Sequence, residues 1–366
     1  MKNRVNPDRK ARSERVGWII VCTLCVAVAC ALGYRLDWSG LGLMSAAPSG
    51  KGTPSADARE AVPGLAKAVA GEGGQEWAPD AAQEAWDDMT QELSWLVSRH
   101  RGRVAIYLED LKSGRTWSYH PDEMYPSASL IKVPIMACVF YKIHDGEMSL
   151  KNVLTLRRHN RVGGSGSLKW QPDGSKFTVR ELLQHMISES DNTATAMLLE
   201  AVGLGYAQRQ FPKMGLIYTG IYQEGLSLRA GKVAHENFTT ASEMTMLLAK
   251  IYRGELVDPA ASRLMLDILR HKKAVASRLA KGLPRGWEIA HKTGLLRQAC
   301  HDAAVFFSPR GDYAMTVLTG QNGNYKAAKA FISRLGQVTF RHYGAGESYL
   351  ARAPVKGRRS RQVALR

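Results

Sequence analysis

The chain is poor in the residues that build metal sites. It has 5 cysteines in 366 residues, and Cys22, Cys25 and Cys30 lie together in one apolar segment near the N-terminus. The 10 histidines are scattered and include no His-x-x-x-His pair. Because Cys138 and Cys300 also lack metal-ligand spacing, zinc-dependent hydrolysis is disfavoured, and we expect neither a metal nor a cofactor. In an exported protein these two cysteines could form a disulfide, and two buried free thiols are the alternative.

Acidic residues are also scarce relative to basic ones. The chain has 33 Asp and Glu against 50 Lys and Arg, a formal charge of +17. Much of this excess lies in a leader at 1–15 and in a tail at 346–366. A nucleic-acid-binding protein would carry its basic residues on a folded face with aromatic residues between them. We therefore expect no nucleic-acid partner, and we expect the tails to be attracted to anionic polymers of the cell envelope.

Charged residues are absent from one segment, 16–34, which directly follows the basic leader. A helix needs ~20 apolar residues to cross a bilayer, so this segment is about long enough. Basic residues before it place the N-terminus in the cytoplasm. We predict a single-pass signal-anchor in the cell membrane, with the rest of the chain in the periplasm or outside the cell. The alternatives are secretion after signal cleavage at Ala27–Ala29 and lipidation at Cys30.

Residues 35–80 are rich in Gly, Ala, Pro and Ser and predict a flexible linker. Hydrophobic periodicity and turn signals predict an ordered domain at 81–345. Its predicted elements, in chain order, are a helix from Ala81, hairpin strands at 103–111 and 116–120, a helix from Ser129, helices opened by capping boxes at Thr178 and Thr240, strands at 288–293, 303–308 and 313–319, and a helix from 325 to about 340.

Three short motifs of this domain carry chemically active side chains. They are Ser-x-x-Lys at Ser129–Lys132, Ser-Asp-Asn at Ser190–Asn192 and Lys-Thr-Gly at Lys292–Gly294. Residues three apart lie on the same helix face, so Ser129 and Lys132 are neighbours. A serine hydroxyl becomes a good nucleophile when a nearby base takes its proton, and a lysine serves as that base when burial or positive charge lowers its pKa. Lys292 can supply that positive charge.

The order and separations of the motifs resemble those of class A β-lactamases and penicillin-binding proteins, a superfamily of active-site serine enzymes. The resemblance covers about 85–345. It rests on Tyr125–Pro134, Met186–Thr195 and Ala290–Gly294. It implies an α/β (α+β) fold, in which a five-stranded antiparallel sheet is flanked by helices and lies beside an all-helical subdomain. The active site would lie at the junction between the two.

The same resemblance implies roles for the motif residues. Ser129 would form the acyl-enzyme with Lys132 as its base, and the Ser190 hydroxyl would relay a proton to the leaving nitrogen. Asn192 would contact the substrate and Lys132, while Asp191 would hold the loop. The implied substrate-binding residues of the third motif are Lys292, Thr293, which binds a carboxylate, Gly294, which lets the substrate approach the strand, and Leu295. The oxyanion hole would consist of the Ser129 and Leu295 amides.

Two features depart from the family pattern. Class A β-lactamases use a loop glutamate to activate water, and counting back from Asn237 places Glu224 at its position, without the usual surrounding residues. Glu224 is therefore either the deacylation base or a surface glutamate. Many β-lactamases also carry an arginine on the strand after Lys-Thr-Gly. Here His301 and Asp302 occupy that region, as a structural or a functional pair, and Arg297 is a candidate substitute.

From the resemblance we expect a monomeric serine hydrolase that acts on β-lactams through an acylated Ser129. A D-alanyl-D-alanine carboxypeptidase or esterase of the same fold, acting on a peptidoglycan-derived substrate, is the first alternative. The second alternative is a non-catalytic module that binds the cell wall. The complete nucleophile set disfavours that module, since binding does not require Ser129, Lys132, Ser190 and Lys292.

Overall fold

The computed structural model describes residues 79–222, 225, 236–270, 277–283 and 287–344. The leader, the apolar segment, nearly all of the linker, the basic tail and Glu224 lie outside the described residues. In the part that is described, no helix is both long and apolar enough to cross a membrane. The signal-anchor at 16–34 and the domain boundaries therefore stay predictions.

The described residues form eight α-helices and nine strands. The helices are α1 (Pro79–Ser98), α2 (Lys132–His144), α3 (Val179–Ser188), α4 (Asn192–Val202), α5 (Leu204–Lys213), α6 (Ala241–Arg253), α7 (Pro259–Leu269) and α8 (Tyr325–Tyr343). The strands are β1 (Arg103–Asp110), β2 (Thr116–Tyr119), β3 (Tyr125–Pro126), β4 (Val153–Thr155), β5 (Lys176–Thr178), β6 (Phe238–Thr239), β7 (Glu288–Leu296), β8 (Ala299–Phe307) and β9 (Tyr313–Gly320).

Five of these strands form the predicted antiparallel sheet. Their order is β2-β1-β9-β8-β7, and each neighbouring pair runs antiparallel. Strand β7, which carries the Lys-Thr-Gly motif, therefore lies at one edge of the sheet. An edge strand keeps unpaired backbone groups on its outer side, so it can accept an extended ligand. The fold class predicted from the sequence is confirmed.

The sheet packs against a hydrophobic core on each of its two faces, because successive side chains along a strand point to alternate faces. Val104, Ile106 and Leu108 of β1 face one core, which also contains Leu93 of α1 and Phe331 of α8. Side chains of successive strand residues point to opposite faces, and the intervening β1 residues accordingly pack against the other core, formed with α2–α7. Each fully buried aliphatic side chain contributes about 2 kcal/mol of hydrophobic free energy.

One of the two predicted capping boxes is complete in the structure, and the other forms only its first hydrogen bond. Thr178 accepts a hydrogen bond from the Glu181 amide, and the Glu181 carboxylate accepts one from the Thr178 amide, so the first box is complete. Thr240 likewise caps α6 by accepting from the Glu243 amide. The Glu243 carboxylate, however, accepts from the amides of residues 217 and 218 and from the Thr219 hydroxyl. Glu243 therefore fixes the turn that leads towards Glu224.

The disulfide allowed by the sequence does not form, and the alternative of two buried free thiols is confirmed. Cys138 lies in the core of the helical side, whereas Cys300 lies in the core on the opposite face of the sheet. Burial raises the pKa of the Cys138 thiol to about 12, so this thiol is neutral at ordinary pH. Both cysteines act as small hydrophobic residues.

Candidate active site

Ser129 lies in a tight turn at the start of α2. The turn is a 3-10 helix over Ala128–Ile131, and α2 itself begins at Lys132 rather than at Ser129. Ala128 has φ +48°, a left-handed conformation that is unfavourable for a residue with a Cβ. The Ser127 amide donates to the carbonyl oxygen of Asn237 at 2.6 Å and thereby anchors the turn. The half-buried Ser129 therefore follows a residue with strained backbone, in a turn that the hydrogen bond to Asn237 fixes in place.

Lys132 is buried and contacts the second motif. Its Nζ donates to the Ser190 carbonyl oxygen at 2.5 Å and to Asn192 Oδ1 at 2.7 Å, and it lies 3.1 Å from Ser190 Oγ. Burial, followed by the positive charge of Lys292, holds its pKa well below the ordinary lysine value. A lowered pKa makes the amine available as a base. The structure shows no hydrogen bond between Lys132 and Ser129.

The Ser-Asp-Asn motif forms the connection between α3 and α4. Ser190 has φ +54°, and this conformation turns both its carbonyl and its hydroxyl towards Lys132. Asp191 caps α4 by accepting from the Ala194 amide and also accepts from the Leu168 amide, both at 2.8 Å. As predicted, its side chain holds the loop. The Asn192 amide group donates to the carbonyl oxygen of residue 163 at 2.8 Å, which fixes the orientation of its Oδ1.

Lys292 of the Lys-Thr-Gly motif brings a second amine within hydrogen-bond distance of the Ser190 hydroxyl. Lys292 Nζ donates to Ser190 Oγ at 2.9 Å and to the Thr293 carbonyl oxygen at 3.1 Å. Burial and the charge of Arg278 lower the pKa of Lys292 to about 7, and the opposing effect of Asp302 is smaller. Lys292 therefore loses part of its charge near neutral pH.

Gly294 lies where β7 approaches the nucleophile turn. A Cβ at this position would lie 3.0 Å from Ala128 Cβ and 3.3 Å from the His301 ring. Such distances are too short for ordinary carbon contacts, so a side chain here would push the strand away from the turn. The glycine is thus needed for packing within the protein as well as for the predicted approach of a substrate.

A cleft of about 260 Å³ opens at the junction of the sheet and the helical subdomain. Four of the predicted site residues line it, namely Ser129, Lys132, Asn192 and Leu295. Ser190 and Lys292 are buried behind Lys132 and hydrogen-bond to each other. Thr293 is buried next to Lys292.

The loop side of the cleft consists in part of Gly225, Glu236 and Asn237. Gly225 is the chain neighbour of Glu224, which itself lies outside the described residues. The role of Glu224 therefore stays a prediction. Neither Glu236 nor Asn237 was expected at the site. Both lie beyond the counted loop position, and Asn237 entered the sequence interpretation only as the residue from which that position was counted.

His301 and Asp302 do not form a pair. The His301 Nδ1 accepts from the Thr319 amide at 3.2 Å, and its Nε2 donates to the Pro126 carbonyl oxygen at 2.8 Å. These partners fix the neutral tautomer, and burial lowers the pKa of His301 to about 4. Asp302 instead accepts from Ser277 Oγ and from the amides of Arg278 and Leu279. His301 supports the nucleophile turn, whereas Asp302 anchors a separate segment.

Arg278 lies near Lys292, and the sequence interpretation did not consider it. Its guanidinium donates to the His301 carbonyl oxygen at 2.8 Å and lies close enough to Lys292 to lower the pKa of that amine. Arg297, the substitute considered from the sequence, is exposed at the turn between β7 and β8. Arg278 lies well before the Lys-Thr-Gly motif, and no motif marks it, so only the fold reveals its position.

Among the residues that the structure describes, one cluster holds potential metal ligands. Ligand atoms of His185, Glu189 and Asp191 lie within 4.8 Å of one another. Glu189 already accepts from Ser167 Oγ at 2.7 Å and lies 3.1 Å from the His185 ring. Since both oxygens of Asp191 accept backbone amides, the cluster serves to fix the loop before α4.

A five-stranded antiparallel sheet beside a helical subdomain, with these three motifs meeting at their junction, defines the class of serine β-lactamases and penicillin-binding proteins. A family model described as the β-lactamase enzyme family matches residues 88–343. The chain therefore belongs to this family, and it is a hydrolase of the serine β-lactamase type.

Individual relatives agree with this assignment. A β-lactamase of Streptomyces albus G is 28% identical over 269 residues, which cover 71% of this chain and 84% of the relative. A variant of PBP-A, solved as an acyl-enzyme complex with penicillin G, is 28% identical with a TM-score of 0.64, and the match covers 70% of this chain and 96% of that one. An ancestral class A β-lactamase is 26% identical with a TM-score of 0.63, over 69% and 99% of the two chains.

Proposed function

We propose that the protein hydrolyses β-lactams through an acyl-enzyme formed on Ser129. The observation that carries the proposal is the Ser190 hydroxyl, which lies within hydrogen-bond distance of both Lys132 and Lys292. This arrangement joins all three motifs into one proton-transfer network beside the nucleophile turn. The names of the relatives, two β-lactamases and a protein solved as a penicillin G acyl-enzyme, support the same substrate class.

Acylation begins with the neutral amine of Lys132. A neutral lysine has two N–H donors and one lone pair, and the carbonyl oxygens of Ser190 and Asn192 can only accept. These two oxygens therefore take the N–H donors and leave the lone pair available. Lys132 takes the hydroxyl proton of Ser129, whose Oγ then attacks the lactam carbonyl carbon. The amides of Ser129 and Leu295 stabilise the resulting oxyanion.

Collapse of this intermediate breaks the carbon–nitrogen bond of the lactam. The leaving nitrogen needs a proton, and the Ser190 hydroxyl supplies it. Lys132, which holds the proton taken from Ser129, lies 3.1 Å from Ser190 Oγ and replenishes the hydroxyl. The proton thus passes from Ser129 to the leaving nitrogen through two groups, and Lys132 returns to its neutral form.

The positively charged side chains of Lys292 and Arg278 attract the carboxylate of a β-lactam. Lys292 is buried behind the cleft, and the Arg278 guanidinium lies near enough to affect its charge. Together with Thr293 they provide the positive potential that attracts an anionic substrate. In this proposal Arg278 takes the position considered for Arg297.

Water must then release the acyl group, and the family resemblance offers Glu224 as the base that activates it, with a surface glutamate as the alternative. The similarity to PBP-A supports a second candidate, a D-alanyl-D-alanine carboxypeptidase or esterase that forms the same acyl-enzyme but releases penicillin slowly. The lifetime of the penicillin adduct distinguishes the two. Hydrolysis of a chromogenic cephalosporin by the full chain, lost in Ser129→Ala, would support the β-lactamase. Stoichiometric acylation without turnover would support the peptidase.

We also propose that the catalytic domain works outside the cytoplasm. The apolar segment 16–34 and its basic leader support membrane anchoring with the following residues outside the cytoplasm. Protease treatment of intact spheroplasts tests this proposal. Digestion of the domain without lysis is expected, and full protection until lysis would contradict it.

A further inference from the structure

The turn between β7 and β8 lies beside the catalytic cleft. Leu295 and Leu296, the last two residues of β7, line the cleft, and Gln298 follows in the turn. The Leu295 amide is one of the two donors of the proposed oxyanion hole. Strand β7 lies at the edge of the sheet, and the Leu295 side chain is 46% exposed. Because neither a second neighbouring strand nor burial of this side chain fixes the amide, its position depends on how the turn is held.

Tyr325, the first residue of α8, forms hydrogen bonds to this turn through its hydroxyl. The hydroxyl donates to the Leu296 carbonyl oxygen at 2.8 Å and accepts from the Gln298 amide at 3.1 Å. A phenol hydroxyl has one proton and two lone pairs, so it can form both bonds at once. Tyr325 thus ties the end of β7 to the start of α8, whose later residues are buried in a core of the sheet.

Asn322 holds the same turn from the loop before α8. Its backbone amide and its Nδ2 both donate to the Gln298 carbonyl oxygen, at 3.0 Å and 2.9 Å. Gln298 has φ +64° and Gln321 has φ +55°, a left-handed conformation that is unfavourable for residues with a Cβ. Such strain persists where the surrounding contacts over-determine the backbone, and it is concentrated at functional sites. Contacts from outside the hairpin therefore hold the turn in one conformation.

We propose that Tyr325 is a positioning residue for acylation, which keeps the Leu295 amide in the geometry of the oxyanion hole. The proposal rests on the acyl-enzyme proposed above. Tyr325 acts through the Leu296 carbonyl and the Gln298 amide, and it contacts no reacting atom. A hydrogen bond weakens steeply when its distance or angle departs from the optimum, so a shift of the β7 end reduces what the Leu295 amide contributes. None of the three motifs includes Tyr325.

The test compares full-length wild type with Tyr325→Phe, which removes the hydroxyl and keeps the ring. Loss of a complete oxyanion donor costs about 10²–10³-fold in rate, so a displaced donor should slow acylation by about 10-fold. Stopped-flow kinetics with a chromogenic cephalosporin measure this rate. The dissociation constant of the noncovalent complex should stay within about two-fold of wild type, because the oxyanion forms only after binding.

Tyr119→Phe is the matched control. Tyr119 and Tyr325 are both 39% exposed, and Tyr119 lies on β2, at the opposite edge of the sheet from β7. Removal of the Tyr119 hydroxyl should leave both the acylation rate and the dissociation constant unchanged.

Rapid-mixing infrared spectroscopy of the acyl-enzyme separates positioning from a general loss of structure. Penicillin G that is isotope-labelled at the lactam carbonyl identifies the ester carbonyl band. Donors of the oxyanion hole lower the frequency of this band by hydrogen-bonding to the carbonyl oxygen. The band should therefore lie at a higher frequency in Tyr325→Phe than in wild type. A smaller fraction of folded protein would reduce the intensity of the band without moving it.

An unchanged acylation rate in Tyr325→Phe would overturn the proposal, as would a slower rate with an unshifted carbonyl band. An equal effect of Tyr119→Phe would overturn it as well. A rise in the dissociation constant alone would also contradict it, because that result would assign the hydroxyl to substrate binding. Failure of wild type to form any adduct is distinguishable from these results, since it removes the proposed acyl-enzyme and this inference with it.

Discussion

Lys292 Nζ donates a hydrogen bond to Ser190 Oγ at 2.9 Å, and the same hydroxyl lies 3.1 Å from Lys132 Nζ. Two amines thus share one hydroxyl inside the protein. Burial lowers the pKa of both, and the charge of Lys292 lowers that of Lys132 further. The arrangement favours a neutral Lys132 beside a Lys292 that is charged below about pH 7. The first amine can then act as a base while the second attracts an anion.

Lys292 should make substrate binding weaken at alkaline pH. Its pKa is about 7, so the amine is charged below that pH and neutral above it. The KM for penicillin G should therefore rise as pH increases from 6 to 9. In Lys292→Arg this rise should disappear, because an arginine stays charged throughout the range. Steady-state kinetics across that range check the prediction, and an identical alkaline rise in both proteins would contradict it.

Removal of the Ser190 hydroxyl should slow acylation while leaving the fold intact. Ser190→Ala keeps the backbone carbonyl that binds Lys132 but deletes the group that protonates the leaving nitrogen. Loss of a positioned proton donor typically costs about 10²–10⁴-fold in rate. Stopped-flow measurement of acylation by a chromogenic cephalosporin tests this. A rate within two-fold of wild type would exclude Ser190 from proton transfer.

Gly294→Ala should damage both stability and acylation. The new methyl would lie 3.0 Å from Ala128 Cβ and would push β7 away from the nucleophile turn. Overpacking of this kind costs about 1–3 kcal/mol of unfolding free energy. Gly323→Ala is the control, since a Cβ added there would meet no atom within 4 Å beyond its chain neighbours, and its φ is not positive. Urea unfolding should show a loss for Gly294→Ala only, and equal losses would refute the packing argument.

His301 should make the protein sensitive to acid. Its pKa is about 4 in the fold against about 6.5 when unfolded, so the unfolded chain binds the extra proton first as pH falls. Stability is therefore lost between pH 6.5 and 4, by on the order of 3 kcal/mol for this group. His301→Gln can still donate to the Pro126 carbonyl and does not titrate. Its unfolding free energy should fall less over this pH range, and a parallel fall would contradict the prediction.

The sequence was most informative where chemistry demands particular residues at fixed spacing. The three motifs predicted that Ser129, Lys132, Ser190 and Lys292 would lie together, because each step of acyl transfer needs a specific group. Periodicity predicted the five strands within a few residues, since the two faces of the sheet impose alternation.

The remaining features depend on contacts between distant segments. Arg278 lies near Lys292 in a segment that Asp302 holds through backbone amides, and no local sequence pattern encodes that arrangement. His301 and Asp302 are adjacent in sequence, yet strand alternation points them to opposite faces, so they do not pair. The sheet also separates Cys138 from Cys300, because the two cysteines lie in the cores on its opposite faces.

The most direct test of the account is intact-protein mass spectrometry of the full chain after mixing with penicillin G. The account predicts an adduct of one penicillin on Ser129 that then disappears as free enzyme returns, and no adduct on Ser129→Ala. Absence of any adduct on the wild-type protein, or an adduct that persists on Ser129→Ala, would contradict it.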